Sequence, residues 1–358
     1  MDFIVYLEAH QPLILRKQPR ERVTSWLDLV DEHSSSSLFE IALKKSYEPL
    51  FKLLSELAPT GFKVGLRVSG ILLDQAERWG KVFLEELASL VAKGVVDLVA
   101  GPYYNSITFL LSQDEYVEQV EMHVKKLVDL FGVRPKVLSN PYLAYSDEVG
   151  RLAYDKLEMQ AVITEGASQV LGWRTPHFVY RHPVHQLKVL TRDPELSNEI
   201  AFGLGRWLRA DFFTDKVTRV AGSVVLVGVP METFGLSVPR EQGAFDFLRW
   251  LPREVAKRHW VRVATPSEVA AKEPVDLFTS FNVVTWLETK DLRPLTENPL
   301  QAALLSQLGD LREHARAAGL IEAWRLLTQV DLLYAARGVS TFTSVQKAMC
   351  ALYASVSP

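Results

Sequence analysis

Cysteine is almost missing from this chain. Cys350 is the single one in 358 residues, so no intrachain disulfide can form and nothing points to an oxidising compartment. Long apolar runs are missing too: none approaches the roughly 18 residues of a membrane span. The start, Met1-Asp2-Phe3-Ile4-Val5-Tyr6-Leu7, is too short and too acidic for a signal peptide and runs directly into a strand, so a cytoplasmic setting is expected. Nor is there an excess of one charge, with 40 Lys and Arg against 43 Asp and Glu. The densest basic cluster, Arg16, Lys17, Arg20 and Arg22, falls in a loop, so neither a nucleic acid nor a membrane is an expected partner. Internal repeats are absent, and the one low-complexity tract, Ser34 to Ser37, reads as a helix cap. What is abundant is core material: 48% of residues are hydrophobic, enough for one large α/β unit with an appendage.

Phe3 to Leu7 reads as a strand buried on both faces, as a parallel sheet requires. Ser37, three before Glu40, predicts a capping box ahead of a helix that ends near Pro59-Thr60-Gly61. Strands are expected at 63–68, 95–100, 136–138 and 160–164, and helices at about 75–92, 114–131 and 147–157, a β-α-β rhythm with right-handed crossovers. From Ala167 to Arg219 the rhythm loosens into what reads as a long insertion, with Pro176 and Pro183 marking extended segments around Phe178-Val179-Tyr180 and Leu187 to Leu190. It resumes with a strand at 223–229, a helix near 243–258 and a short strand at 261–263. After about residue 276 only helical periodicity remains, near 299–316, 320–336 and 343–354. The division is therefore an α/β part over 1–275 and a helical subdomain over 276–358.

Three segments at expected strand ends carry the chemistry: Ala9-His10-Gln11-Pro12, Lys136 to Leu143 with Asn140-Pro141-Tyr142 at its end, and Pro230-Met231-Glu232-Thr233-Phe234-Gly235. Between and beyond them lie Ala161 to Gly166, Leu171-Gly172-Trp173-Arg174, Phe178 to Arg181, Ala264 to Glu268 and Glu322-Ala323-Trp324-Arg325. This ordered set resembles the family 57 glycoside hydrolases, in the branch of intracellular archaeal α-amylase-like proteins. The resemblance implies an incomplete TIM-like (β/α)7 barrel followed by a C-terminal helical subdomain, with its site at the strand C-termini. No cofactor is expected.

In that family the middle segment ends Arg-Asn-Thr-Glu-Leu, with Glu as nucleophile, and the late one begins Asp-Tyr-Glu-Thr, with Asp as general acid. Here those positions read Tyr142 and Pro230. Two more polar positions differ: Gly101-Pro102-Tyr103-Tyr104-Asn105 stands where the family tends to read Glu-Thr-Tyr-Tyr-His, and Leu332 follows Asp331 where a His is usual. A retaining glycosidase needs two carboxyl groups about 5–5.5 Å apart. Proline has no proton to give, and a tyrosine of ordinary pKa, near 10, is protonated at neutral pH. Glu232, two residues beyond Pro230 and on the same strand face, is the rescue candidate.

His10 reads either as a satisfied buried histidine or, by the resemblance, as a sugar contact, with Gln11 beside it. Tyr103, Tyr104, Trp173 and Trp207 are either an aromatic floor for glucose rings or core, and Asn105 is a further polar candidate. His177, His182 and His185 are spaced too irregularly around Pro183 for a metal site, and none is expected. The resulting expectation is a catalytically silent homologue that binds α-glucan or maltooligosaccharide, or pairs with an active amylase-like enzyme or with itself. The alternatives are an α-amylase or 4-α-glucanotransferase with relocated groups, Glu232 with Tyr142 or another residue, and an interaction-only scaffold.

Overall fold

The computed structural model describes residues 1–356. Among the described residues there are ten strands: β1 (Asp2–Ala9), β2 (Val64–Val68), β3 (Val96–Leu98), β4 (Val137–Ser139), β5 (Ala161–Glu165), β6 (Val179–Arg181), β7 (Lys188–Arg192), β8 (Val224–Pro230), β9 (Arg262–Val263) and β10 (Asp276–Leu277). Strands β1, β2, β3, β4, β5, β7 and β8 form a parallel ring. Two seams are thin: β3 reaches β4 only through the bridge Ala100↔Leu138, and β7 meets β8 only at Arg192↔Leu226. This is the incomplete (β/α)7 barrel that the sequence led us to expect, with a helical C-terminal region.

Strand alternation sorts the side chains. On β1, Phe3, Val5, Leu7 and Ala9 face the helices of the outer layer, while Ile4 and Tyr6 join Val137, Ala161, Ile163, Leu190 and Leu226 in the barrel interior. Tyr6 is fully buried and lies in register with Gly65 on one side and Gly228 on the other. A Cβ on Gly228 would stand 3.2 Å from the Tyr6 ring, so the glycine makes room for the aromatic plug of the barrel floor. β9 pairs with Asp2 and Phe3 on β1, below the stretch from Tyr6 to Ala9 that β2 covers.

Several local expectations are corrected. The first long helix begins at Glu32, capped by the Asp31 carboxylate, which accepts from the Ser34 amide; Ser37 lies inside it and donates to the His33 carbonyl, so the Ser37–Glu40 capping box does not form. The helix expected over 75–92 is two, Gly70–Trp79 and Lys81–Ala92, broken at Gly80. The stretch from Ala167 to Arg219 is not an insertion. It contains barrel strand β7, which β6 joins antiparallel; the β6 hairpin and Pro176 and Pro183 hide the repeat. β10 pairs with β6, so the strands run slightly past 275. The helices Pro299–Ala317, Ile321–Leu327, Val330–Ala335 and Val339–Val356 follow. They pack around Trp324 onto the Leu13–Val30 loop, forming a separate apolar cluster. No helix among the described residues is long and apolar enough to cross a membrane.

Candidate active site at the barrel mouth

The C-terminal ends of the strands carry a layer of buried charges. Glu8 on β1 is in register with Arg67 on β2 and with Pro230 on β8. Arg67, 1% exposed, donates from Nη2 to Glu8 Oε2 at 3.2 Å and from both Nη atoms to Asn105 Oδ1 at 3.0 Å. The Glu8 carboxylate also accepts from the Tyr6 hydroxyl at 2.9 Å and the Ser139 hydroxyl at 3.3 Å. Across the mouth, Glu165 at the end of β5 is fully buried between Arg192 at 2.9 Å and Lys290 at 2.6 Å, and Arg192 lies over the Trp286 ring. Each of these buried carboxylates thus has a cation, the condition under which charge survives away from water.

Gly101 belongs to the same layer. A Cβ there would come within 2.6 Å of the Ser139 carbonyl and 2.8 Å of Arg67 Cδ. The Arg67 side chain therefore occupies the space that a side chain at 101 would need.

His10 stands beside this layer, mostly buried. Its Nδ1 is 2.8 Å from Ser69 Oγ, and its Nε2 is 2.8 Å from Asp331 Oδ2. Ser69 caps the Gly70–Trp79 helix by accepting from the Leu72 amide. With the hydroxyl donating to Nδ1 and Nε2–H donating to Asp331, every group is satisfied. Asp331 also accepts from Asn105 Nδ2 at 3.2 Å. Burial works against its charge, but His10 and these hydrogen bonds outweigh it and hold the carboxyl below its ordinary value.

Glu232 does not lie on the strand. β8 stops at Pro230, and Met231–Thr233 forms a 3-10 turn, so the two-residue alternation that would place Glu232 on the face of Pro230 does not apply. The turn aims its Oε1 at the His10 amide, 3.1 Å away, and at the Tyr47 hydroxyl, 2.5 Å away. Tyr47 ends a five-residue π-helical segment, Leu43–Tyr47, a local widening often found at functional sites. Its hydroxyl also accepts from Gln11 Nε2 at 3.3 Å. Burial raises the Glu232 carboxyl, and the hydrogen bonds from Tyr47 and His10 offset only part of the rise.

Tyr142 sits at φ 55°, ψ 20°, in the left-handed region, inside the short turn Pro141–Leu143. Its ring lies 6.1 Å from that of Tyr334. Burial, then the negative charge of Asp331, drives the phenol well above its ordinary value, so it stays protonated. Pro230 is exposed at the mouth.

The structure thus brings together His10, Gln11, Asn105, Tyr142, Pro230 and Glu232. It places the four aromatic candidates elsewhere. Tyr103 and Tyr104, each 8% exposed, line a pocket of about 170 Å³ with Trp26, Trp79 and Met122, and Tyr103 donates to Asp74. Trp173, 92% exposed, stands on the loop after β5. Trp207 lines a separate cleft against the helix Ala244–Ala256. His177 pairs with Asp193, and His182 Nδ1 accepts two turn amides. Arg67, Tyr47, Ser69, Arg192, Lys290 and Trp286 were not among the sequence candidates.

Comparison with known proteins gives this arrangement a context. The family model for glycosyl hydrolase family 57 matches residues 4–280. A putative α-amylase of Methanocaldococcus jannaschii is 33% identical over 317 residues, which is 85% of this chain and 68% of that protein. Among solved structures, the Thermococcus kodakaraensis family 57 branching enzyme superposes with a TM-score of 0.76 at 14% identity, over 97% of this chain and 88% of that one. The 4-α-glucanotransferase of Thermococcus litoralis superposes at 0.67 and 18% identity, over 91% of this chain but only 48% of the larger enzyme. These two likenesses are at the level of the fold. The family match and the Methanocaldococcus relative span most of the chain, and on that ground the chain belongs to glycosyl hydrolase family 57.

Proposed function

We propose that this protein binds α-glucan at the barrel mouth without cleaving it, acting through that binding in carbohydrate metabolism or by pairing with an active relative. One observation carries the reading. Pro230, at the position where the family resemblance puts the general acid, lies in register with Glu8, and Glu8 is itself bound to the buried Arg67. The acid position therefore has no proton, and its neighbouring carboxylate is neutralised. Tyr142, at the nucleophile position, is held protonated by burial. Without an acid and an attacking carboxylate the double displacement has neither step, and acid–base help alone is worth about 10²–10⁴-fold. The glucan ligand class is taken from the family and from relatives named as a putative α-amylase and a 4-α-glucanotransferase.

The test is paired. Incubation with amylose or maltodextrin releases no reducing ends above the no-protein control, while calorimetry with maltotetraose gives heat. Sustained turnover that Glu232→Gln abolishes overturns the silent reading, and absence of heat favours an interaction-only scaffold.

A second reading has its own support. Glu232 and Asp331 both bond to His10, and their surroundings push them in opposite directions, one up and one down. Such a split is how one site keeps an acid and a base side by side. In an enzyme with relocated groups Glu232 is the acid, and Tyr142 or another residue such as Asp331 is the nucleophile. A trapped glycosyl adduct mapped to Asp331 or Tyr142 establishes it.

A further inference from the structure

A cleft of about 620 Å³ opens on the flank of the barrel, and none of the mouth residues lines it. One wall is the helix Ala244–Ala256, which follows β8; the other is the 204–209 loop, which joins the two helices preceding β8, together with the first residues of the second helix, Ala210–Arg219. On the helix, Asp246, Trp250 and Glu254 are spaced four residues apart and share one face. At 1.5 Å rise per residue the two carboxylates flank the indole at about 6 Å along the axis on either side. The loop answers with Arg206, Trp207 and Arg209, and Gln242 also lines the cleft.

Both indoles have a cation against the ring and remain half exposed. Trp207 packs over Gly203, where a Cβ would meet its ring at 2.8 Å, and Lys216 lies over it at 5.8 Å. The Arg253 guanidinium lies 4.9 Å from the Trp250 ring centre. Even so, Trp207 is 58% exposed and Trp250 50%. Beside them, the side chains of Arg206, Gln242 and Asp246 are exposed and have no hydrogen-bond or ion-pair partner among the described residues. Two fixed aromatic planes bordered by unused donors and acceptors match the two surfaces of a pyranose, its C–H face and its rim of hydroxyls. The mixed charges, Arg206 and Arg209 against Asp211, Asp246 and Glu254, do not favour a polyanion.

We propose that this cleft is a second carbohydrate site, binding a stretch of neutral α-glucan by stacking on Trp207 and Trp250, independently of the mouth. The choice of an α-glucan rests on the function proposed above. The site needs no reaction: it would hold a polymer to the protein while the mouth engages a different stretch.

The experiment is electrophoresis through native gels containing amylopectin, with the double variant Trp207→Ala/Trp250→Ala, the ring-conserving pair Trp207→Phe/Trp250→Phe, and the mouth variant Asp331→Ala. All four residues' variants are checked for unchanged thermal unfolding first, with Asp246→Ala as a milder cleft variant. Wild type is retarded, the alanine pair loses about tenfold or more in affinity, and the phenylalanine pair retains most of it, as stacking predicts. Undiminished retardation of the alanine pair overturns the cleft and leaves the mouth reading standing. Retardation lost in the cleft variants but kept in Asp331→Ala, with no maltotetraose heat attributable to the mouth, overturns the mouth reading and leaves the cleft. Self-association of wild type that the alanine pair abolishes, without any retardation, makes the patch a protein interface and overturns the proposal.

Discussion

Replacing Arg67 with methionine removes the guanidinium while keeping most of the side-chain volume. Three hydrogen bonds go, two to Asn105 Oδ1 at 3.0 Å and one to Glu8 Oε2 at 3.2 Å. More important is what stays: Glu8, with a side chain 8% exposed, keeps only the Tyr6 and Ser139 hydroxyls. A buried carboxylate stripped of its cation costs about 3–5 kcal/mol, so Arg67→Met lowers stability by that amount at neutral pH. Glu8→Gln in the same background removes the stranded charge. Because Arg67 Nε has no partner to lose, the double variant returns to within about 1–2 kcal/mol of wild type, and the two changes are strongly non-additive.

Urea unfolding followed by circular dichroism gives the four midpoints of this double-mutant cycle. If Arg67→Met alone unfolds within about 1 kcal/mol of wild type, or the double variant is as weak as the single one, the mouth does not depend on this ion pair as argued. The proposed compensation of Glu8, the carboxylate beside Pro230, then loses its physical basis.

Three further outcomes follow from the site. Gly101→Ala puts a methyl 2.6 Å from the Ser139 carbonyl, a backbone clash that costs about 1–3 kcal/mol and lowers the melting temperature measurably. Tyr142→Phe leaves any residual release of reducing ends unchanged, because the phenol is held protonated by burial and by Asp331; a loss of activity would identify it as a nucleophile. The two carboxylates at His10 give opposite pH limbs. Glu232 is raised in the folded state, so its penalty appears as pH rises above the ordinary carboxyl range, and Glu232→Gln gains on wild type over that rise. Asp331 is lowered, so its stabilisation is present above the ordinary range and lost as pH falls through the depressed value, and the deficit of Asp331→Asn closes on acidification. Melting temperatures from pH 3 to pH 8 decide both.

Much of the barrel was legible because parallel strands buried on both faces read as unbroken apolar runs, as in Phe3 to Leu7 and again in β8. Strand β7 shows the limit: an extended segment is legible at 187–190, but its partner β6 runs antiparallel, so Val179 to Arg192 has the look of a hairpin insertion, and only closure of the ring reveals the strand's place. His10, Gln11 and Asn105 were picked out by motifs at strand ends, and the structure places them together at the mouth. Glu232 was placed on the wrong local geometry, since nothing in Met231-Glu232-Thr233 distinguishes an extending strand from a 3-10 turn. Arg67 was missed because its partner Glu8 lies 59 residues away and register alone joins them. A signal did exist: two opposite charges, each inside an otherwise apolar strand of a parallel sheet, must find each other or another partner.

The departures at the mouth are best understood as one arrangement. Arg67 needs the space above Gly101, and it needs an acceptor such as Asn105, whose Oδ1 takes both Nη donors. Asn105 in turn spends its Nδ2 on Asp331, which anchors His10. The larger side chain that the family tends to carry at 101 would collide with Arg67, and an imidazole at 105 would offer the guanidinium a different acceptor geometry. Glu8, once bound to Arg67, tolerates proline beside it at 230, whereas an aspartate in register there would set two carboxylates against one guanidinium. The Glu8–Arg67 pair thus links positions 8, 101, 105 and 230 through one guanidinium, so a change at any of them is felt at the others.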